Sequence, residues 1–312
     1  MSTPEPATGP HAGPHDTSHI RTALFVNAGI AAMKGVGAVA TGSGSMLAET
    51  LHSAADCINQ ALLLLGVRRA ARPPDAAHPL GYGRALYFWS FLVALLLFSG
   101  GGVFSIYEGV HKIQHPEALE NVGWAVGILA IGLVLEGAST WSNIRSLNAR
   151  RGSVPFFRYL QRTKDSDLVV VFGENAAATL GLAVALAALG VATVTGDPRW
   201  DGAGSLGVGV VLVGVSIFLA IEVKALLLGE AAEPEVEAAV REVARTSPGV
   251  LGVLRVIALQ QGPGEVLVAA KVRLTPELSV DGVYDTINAF ERAVRARSPQ
   301  IRWLFIEPDR EA

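Results

Sequence analysis

The sequence predicts an α-helical membrane protein, with six transmembrane helices followed by a small α+β domain. Half of the 312 residues are hydrophobic and only 17% are charged, which is a low share for a soluble domain. The apolar residues fall into six blocks, each long enough to cross a bilayer as a helix. Beyond about residue 230 the pattern changes to short amphipathic segments, which predict a separate soluble unit.

The six apolar blocks, numbered here as spans 1 to 6, lie at about 20–41, 46–68, 86–110, 121–144, 167–192 and 203–228. Their interior glycines and alanines would let membrane helices approach closely. If the blocks were buried helices of a soluble protein, too little chain would remain to cover them. The predicted domains are therefore a tail at 1–18, a transmembrane domain at 19–229 and a further domain at 230–312.

Basic residues are concentrated in two of the connections between spans. The 2–3 connection carries Arg68, Arg69, Arg72 and Arg84, and the 4–5 connection is also rich in arginine. Since cytoplasmic loops carry the excess of Lys and Arg, both termini are predicted to be cytoplasmic. The protein is expected in a lipid bilayer, the cell membrane if the source is bacterial. A net charge of -3 gives no indication of a nucleic-acid partner.

The two ends of the chain differ in character. Residues 1–18 are rich in Pro, Gly, Thr and His, which is typical of a disordered tail. From Pro234 the pattern predicts a helix, then strands at 250–260 and 265–274, a second helix from about Val280, and a last strand from Ile301. The order α-β-β-α-β describes a small α+β layer. It contains neither His nor Cys, so a soft-ligand metal site is not expected there.

Polar residues inside span 2 are the first candidates for a functional site. Glu49, His52 and Asp56 share one stripe of a helix. An imidazole and a carboxylate one turn apart can bind a divalent metal from a single helix. A charge at the centre of a bilayer costs about 2.5–3.5 kcal/mol, so such residues point to function.

Spans 4 and 5 also carry buried polar candidates. Glu136 lies in span 4, and Glu174 is followed by Asn175 in span 5. An internal ion-pair network is the alternative to a metal site, and Lys34 in span 1 is the mid-span lysine available for it. Composition alone leaves both interpretations open for Glu136.

Two motifs resemble the cation diffusion facilitator family of zinc transporters. They are TGSGSMLAETLHSAAD at 41–56 and DAAHPLGYGR at 75–84. The segments SIYEGV at 105–110 and LEGA at 135–138, together with Glu174-Asn175, are most similar to the branch that includes the mitochondrial zinc exporter. The resemblance extends from span 1 to the end of the chain. It implies the same layout of six helices and a cytoplasmic α+β domain.

The resemblance also implies a function. Members of the family are homodimers that exchange cytoplasmic Zn²⁺ for protons, using an H/D-x-x-x-D pair from span 2 and another from span 5. His52 and Asp56 match the first pair. In span 5 Asn175 stands at the usual aspartate, and Glu174 is the neighbouring carboxylate, so these four residues are the expected metal ligands. Glu49, Glu136 or a water molecule are the other candidates for a ligand, and the two glutamates are candidates for the proton carrier.

A second family site lies in the 2–3 loop. Asp75 and His78 match two of its ligands, whereas Tyr82 stands where some members have a histidine. With two ligands the site is expected to be weak or absent. The family's cytoplasmic zinc cluster depends partly on histidines that the last domain lacks. That domain is therefore expected to serve dimerisation and to hold no structural metal.

Several alternatives remain open from the sequence. A ligand set of His, Asp, Glu and Asn suits Zn²⁺, Co²⁺, Mn²⁺ or Fe²⁺; manganese members of the family use carboxylate pairs, so His52 favours zinc as the transported substrate. A membrane oxidoreductase would need paired axial haem ligands, but His52 is the one mid-span histidine. A non-transporting metal-binding scaffold is the remaining alternative. The sequence therefore predicts a transporter and not an enzyme.

Overall fold

The computed structural model describes residues 44–116 and 122–310, with scattered positions between 21 and 39 that are all helical. For residues 44–52 it describes the backbone alone. The predicted tail at 1–18 and Lys34 lie outside the described residues, as do 117–121, 311 and 312.

Beyond the helical positions between 21 and 39, the described part of the predicted transmembrane domain contains six helices. These are α1 (Gly44–Ala70), α2 (Ala85–Gln114), α3 (Val122–Arg151), the short α4 (Phe156–Arg162), α5 (Ser166–Thr195) and α6 (Arg199–Leu228). Four of them, α2, α3, α5 and α6, are long and apolar enough to cross a membrane. They correspond to spans 3 to 6. Span 2 corresponds to α1, which is 27 residues long and carries the polar stripe. Six membrane crossings remain a prediction.

Helices α2 and α6 approach each other through glycine. A Cβ atom built on Gly109 would lie 2.6 Å from the backbone nitrogen of Leu206 and 2.7 Å from the carbonyl oxygen of Gly202. One built on Gly209 would lie 2.6 Å from the side chain of Ile106. Such distances leave no room for a methyl group, so the two backbones are in direct contact. Just before this contact α2 widens into a π-helical stretch, Leu97–Val103.

Large apolar side chains point away from the helix bundle. On α3, Trp124 is 72% exposed, Val134 71% and Trp141 69%. A soluble protein rarely exposes such a continuous apolar surface, whereas a helix facing lipid requires one. The outer face of α3 is therefore suited to contact hydrocarbon.

The C-terminal domain has the predicted element order. It consists of α7 (Pro234–Thr246), β1 (Val250–Gly262), β2 (Glu265–Leu274), α8 (Val280–Arg297) and β3 (Ile301–Pro308). β1 and β2 form an antiparallel hairpin, and β3 pairs with β2 in parallel, so that β2 is the central strand. The alternating positions of β2 face the two helices and are buried: Val266, Val268, Ala270 and Val272.

The C-terminal domain is joined to the helices at the base of α2 and α6. The segment after α6 pairs with β1, because Gln260 donates its backbone N–H to the Glu230 carbonyl at 3.0 Å and Ala232 donates to Ala258 at 3.0 Å. The loop before α2 contacts the same hairpin, since a Cβ atom on Gly83 would lie 2.8 Å from the carbonyl oxygen of Gln261. The start of α2 and the end of α6 thus both lie next to the hairpin of β1 and β2.

Replacing Gly109 with alanine is expected to destabilise the fold. The new methyl group would overlap the backbone of α6, at a cost of about 1–3 kcal/mol. Thermal unfolding of the purified protein in detergent measures the effect. Gly127→Ala on α3 is the matched control, because its Cβ would meet nothing within 4 Å. Equal melting temperatures for the two variants would contradict direct contact between α2 and α6.

Candidate functional site

Three helices place polar side chains inside the apolar bundle. The buried or half-buried set comprises Asp56, Asn59 and Gln60 on α1, Glu136, Thr140 and Asn143 on α3, and Glu174, Asn175 and Thr179 on α5. Ser139, beside them on α3, is exposed. On α1 and α3 these residues recur at intervals of three or four positions, so they share one face. On α5 Asn175 and Thr179 share a face, whereas Glu174 is rotated from Asn175 by about 100°.

Glu174 is the residue around which the other acidic side chains are arranged. Its carboxyl lies close enough to those of Asp56 and Glu136 for their charges to interact, and it lies beside the amide of Asn59. Its Oε1 atom is buried without a hydrogen-bond partner among the described residues. A buried acceptor left in this state is costly, which favours a proton or a cation as its partner. The structure therefore brings two predicted site residues, Asp56 and Glu174, together with Glu136.

Asn175 is turned towards α3. Its side-chain Nδ2 donates to the Ser139 hydroxyl at 2.9 Å. Its backbone carbonyl accepts a hydrogen bond from the Thr140 hydroxyl at 2.9 Å, and that hydroxyl also lies 2.8 Å from the Thr179 hydroxyl. The amide of Asn175 thus helps to hold α5 against α3, and its role as a ligand stays a prediction.

His52 and Glu49 precede Asp56 on α1, where the structure describes the backbone alone up to residue 52. The helical backbone places His52 one turn before Asp56. Among the residues whose side chains are described, no three His, Cys, Asp or Glu residues form a group that could hold a metal ion. The roles of His52 and Glu49 as ligands therefore stay predictions.

The sequence analysis missed two amides that face the same interior. Asn59 is 3% exposed, and its Oδ1 atom is buried without a partner in the described part of the chain. The Nδ2 atom of Asn143 is in the same state. The pattern that could have identified them was present, because Asn59 continues the stripe of Asp56 and Asn143 lies two turns beyond Glu136.

The 2–3 loop uses Asp75 to close itself. Oδ1 of Asp75 accepts the backbone N–H groups of Ala77 at 3.0 Å and His78 at 2.8 Å, and Oδ2 accepts the Tyr82 hydroxyl at 2.7 Å. The Tyr82 hydroxyl, followed by the His78 amide, lowers the pKa of Asp75 below its usual value. The His78 ring packs on that of Tyr82, with 4.1 Å between centroids. Both carboxylate oxygens of Asp75 thus accept hydrogen bonds within the loop, and a weak or absent metal site here stays a prediction.

Comparison with known proteins assigns the class. Residues 20–228 match the family model described as the cation efflux transmembrane domain, and the chain belongs to this family. It is an integral membrane protein of a transporter class and not an enzyme, as the sequence predicted.

Among curated proteins, the chain is similar to the mitochondrial proton-coupled zinc antiporter SLC30A9. It is 37% identical to the Xenopus laevis protein over 256 residues, which cover 81% of this chain and 45% of that protein. The Homo sapiens protein is 36% identical over 254 residues, covering 81% and 44%. Metal tolerance protein C4 of Arabidopsis thaliana is 33% identical over 223 residues, covering 71% and 49%. The chain thus spans about half the length of these relatives.

Among solved structures, a cadmium form of a MamM C-terminal-domain variant matches 25% of this chain and 98% of its own. The identity is 23% and the TM-score is 0.24.

Replacing Asp75 with alanine is expected to loosen the 2–3 loop, because three hydrogen bonds are lost. The matched control is His78→Ala, which retains all three bonds because residue 78 donates through its backbone N–H. Hydrogen–deuterium exchange of residues 72–84, corrected for intrinsic rates, measures the difference. Since the pKa of Asp75 is lowered, its contribution is present above the unfolded value near 3.9 and is lost as pH falls through the lower folded value. Protection of the wild-type loop should therefore persist from pH 7 to pH 5. Greater exchange in His78→Ala than in Asp75→Ala would contradict this assignment.

Proposed function

We propose that the chain is a proton-coupled exporter of divalent cations, with Zn²⁺ as its preferred substrate. The observation that carries the proposal is the position of Glu174 on α5, which meets Asp56 of α1 inside an apolar bundle and has a buried oxygen without a partner among the described residues. Membership of the cation efflux family and the printed names of the zinc antiporters support it.

The proposed transport site consists of His52, Asp56 and Glu174. An imidazole nitrogen and two carboxylate oxygens are three of the four ligands of a tetrahedral Zn²⁺ site. The fourth position is proposed to go to the carbonyl oxygen of Asn175, to Glu49, or to water. Asn59, whose amide lies beside Glu174, suits a supporting role in which it orients that carboxylate.

Proton coupling follows from the chemistry of these ligands. Metal binding requires a neutral imidazole and ionised carboxylates, so protons and metal compete for the same groups. After release of the metal, the repulsion among Asp56, Glu136 and Glu174 is relieved when a proton occupies one of them. Glu136 faces this group from α3, which makes it the proposed proton carrier. Transport then requires that access to the site alternate between the two sides.

The direction of transport and the assembly are also proposals. Arginines in the 2–3 and 4–5 connections favour a cytoplasmic location for both, and the C-terminal domain contacts the 2–3 connection at Gly83. Zn²⁺ would therefore enter the site from the side of residues 230–312. We propose that this domain joins two chains into a homodimer.

The variant Glu174→Gln is expected to abolish proton-driven Zn²⁺ uptake into inverted vesicles, because an amide of the same shape cannot supply the charge. Asn175→Ala is expected to retain part of the activity, since its amide is bonded to Ser139. Asp56→Ala and His52→Ala should behave like Glu174→Gln.

Glu222→Gln is the matched control, because Glu222 is a carboxylate near the end of α6 whose charged neighbours are Glu230 and Lys164. Size-exclusion chromatography shows whether each variant is folded. Full Zn²⁺ uptake in Glu174→Gln would exclude the ligand set proposed here.

The variant His52→Asp is expected to shift preference from Zn²⁺ towards Mn²⁺. Imidazole suits zinc, whereas an all-oxygen set suits harder cations. Uptake of Zn²⁺, Mn²⁺ and Fe²⁺ should be compared at matched concentrations for wild type and variant. An unchanged ratio of Zn²⁺ to Mn²⁺ uptake would mean that His52 does not set the choice of metal.

A further inference from the structure

Two histidines lie one helical turn apart at the end of α2. The rings of His111 and His115 are both exposed, with 5.0 Å between their centroids and 31° between their planes. The backbone N–H of His115 donates to the carbonyl of His111 at 2.8 Å, so the helical turn between them is closed. Neither residue belongs to the transport site proposed above.

We infer that His111 and His115 form a second, low-affinity site for a divalent cation such as Zn²⁺. Two imidazoles at positions i and i+4 on one helix face are a known arrangement for binding zinc. Among the described residues, no third His, Cys, Asp or Glu completes a group around the pair. A pair of imidazoles leaves positions of a tetrahedral ion open to water, which makes the binding weak and exchangeable.

The pair is mounted on a rigid part of the molecule. A Cβ atom on Gly202 of α6 would lie 2.9 Å from the carbonyl oxygen of Gly109 and 3.0 Å from the backbone nitrogen of Ile113. Between the two histidines, Lys112 forms an ion pair of 2.9 Å with Asp201 of α6. The helical turn that carries the pair is thus fixed before any metal arrives, which lowers the entropic cost of binding.

The location of the pair suggests what the site does. Residue 111 is 26 positions along α2 from Ala85, which corresponds to about 40 Å of helix. The C-terminal domain contacts the chain next to the start of α2, at Gly83. The histidines therefore lie at the opposite end of the bundle. If the proposed direction of export holds, on which this assignment of role rests, the pair receives cations on the side where they are released.

A purely structural role for His111 and His115 would give different experimental results. The ring of Tyr107 stacks on that of His111, with 6.3 Å between centroids. The three rings could therefore form an aromatic ladder that needs no metal. Such a ladder predicts stability effects but no metal binding, so metal binding decides between the two.

The test uses the full chain in lipid nanodiscs and measures Zn²⁺ binding by titration calorimetry. The seven histidines of the sequence allow the other candidates to be removed. A background variant therefore replaces His11, His15, His19, His52, His78 and Asp56 with alanine. This background is expected to bind one weak Zn²⁺ per chain. Adding His111→Ala or His115→Ala should weaken that binding by about tenfold or more, since loss of a ligand costs at least as much as loss of an outer partner.

Tyr107→Phe in the same background is the matched control, because it keeps the stacked ring and should leave binding unchanged. The inference would be overturned if the background variant bound no Zn²⁺, or if adding His111→Ala and His115→Ala left its Zn²⁺ binding unchanged. Residue-resolved modification by diethylpyrocarbonate gives a second readout, in which Zn²⁺ should protect both histidines. If it protects neither, the inference also fails.

Failure of the proposed function can be distinguished from failure of this site. A wild-type chain that transports no Zn²⁺, while the background variant still binds one ion through the pair, would refute the transporter proposal and support the second site. Normal Zn²⁺ transport by the wild-type chain, with no Zn²⁺ binding at the histidine pair, would support the transporter proposal and refute the second site.

Discussion

Hydrocarbon provides no partner for a carboxylate, and this constraint determines how the helices of the bundle face one another. Asp56, Glu136 and Glu174 come from three separate helices, and each would be expensive alone at that depth. Facing a common interior lets them share amides, hydroxyls, protons and cations. The hydrogen bonds of Asn175 and Thr140 between α3 and α5 fix the rotation of these helices. A change in the charge of these carboxylates therefore also changes the forces between α1, α3 and α5.

Helices α2 and α6 instead meet through close packing of small residues. Where α2 and α6 touch, glycines replace side chains and backbones pack directly, as at Gly109 and Gly202. Close packing of this kind leaves little freedom for either helix to shift. The bundle thus combines close glycine packing between α2 and α6 with polar contacts between α3 and α5. Every predicted ligand of the transport site lies on α1, α3 or α5.

Much of the architecture could be predicted from the sequence, because its causes are local. The apolar blocks predicted the four long helices to within four residues except at the end of α3, which continues seven residues beyond the predicted 144 because its last two turns are polar. Alternation along 265–274 predicted β2. The proposed transport site was harder to predict. Glu174 and Asn175 are about 100° apart on a helix, and which of them faces Asp56 depends on how α5 is rotated against α3. Asp75 illustrates a related limit, since its hydrogen bonds with Tyr82 depend on how the loop closes.

The joint between α6 and β1 has a mechanical consequence. Glu230 and Ala232 follow the end of α6 directly and are also hydrogen-bonded to the edge of the sheet. A rotation of the C-terminal domain must therefore break those bonds or carry α6 along, and α6 is in backbone contact with α2. Helix α6 also packs closely on α5, since a Cβ atom built on Gly207 would lie 2.8 Å from the side chain of Val184. A partner that binds the C-terminal domain would thus act, through α6, on the helix that carries Glu174.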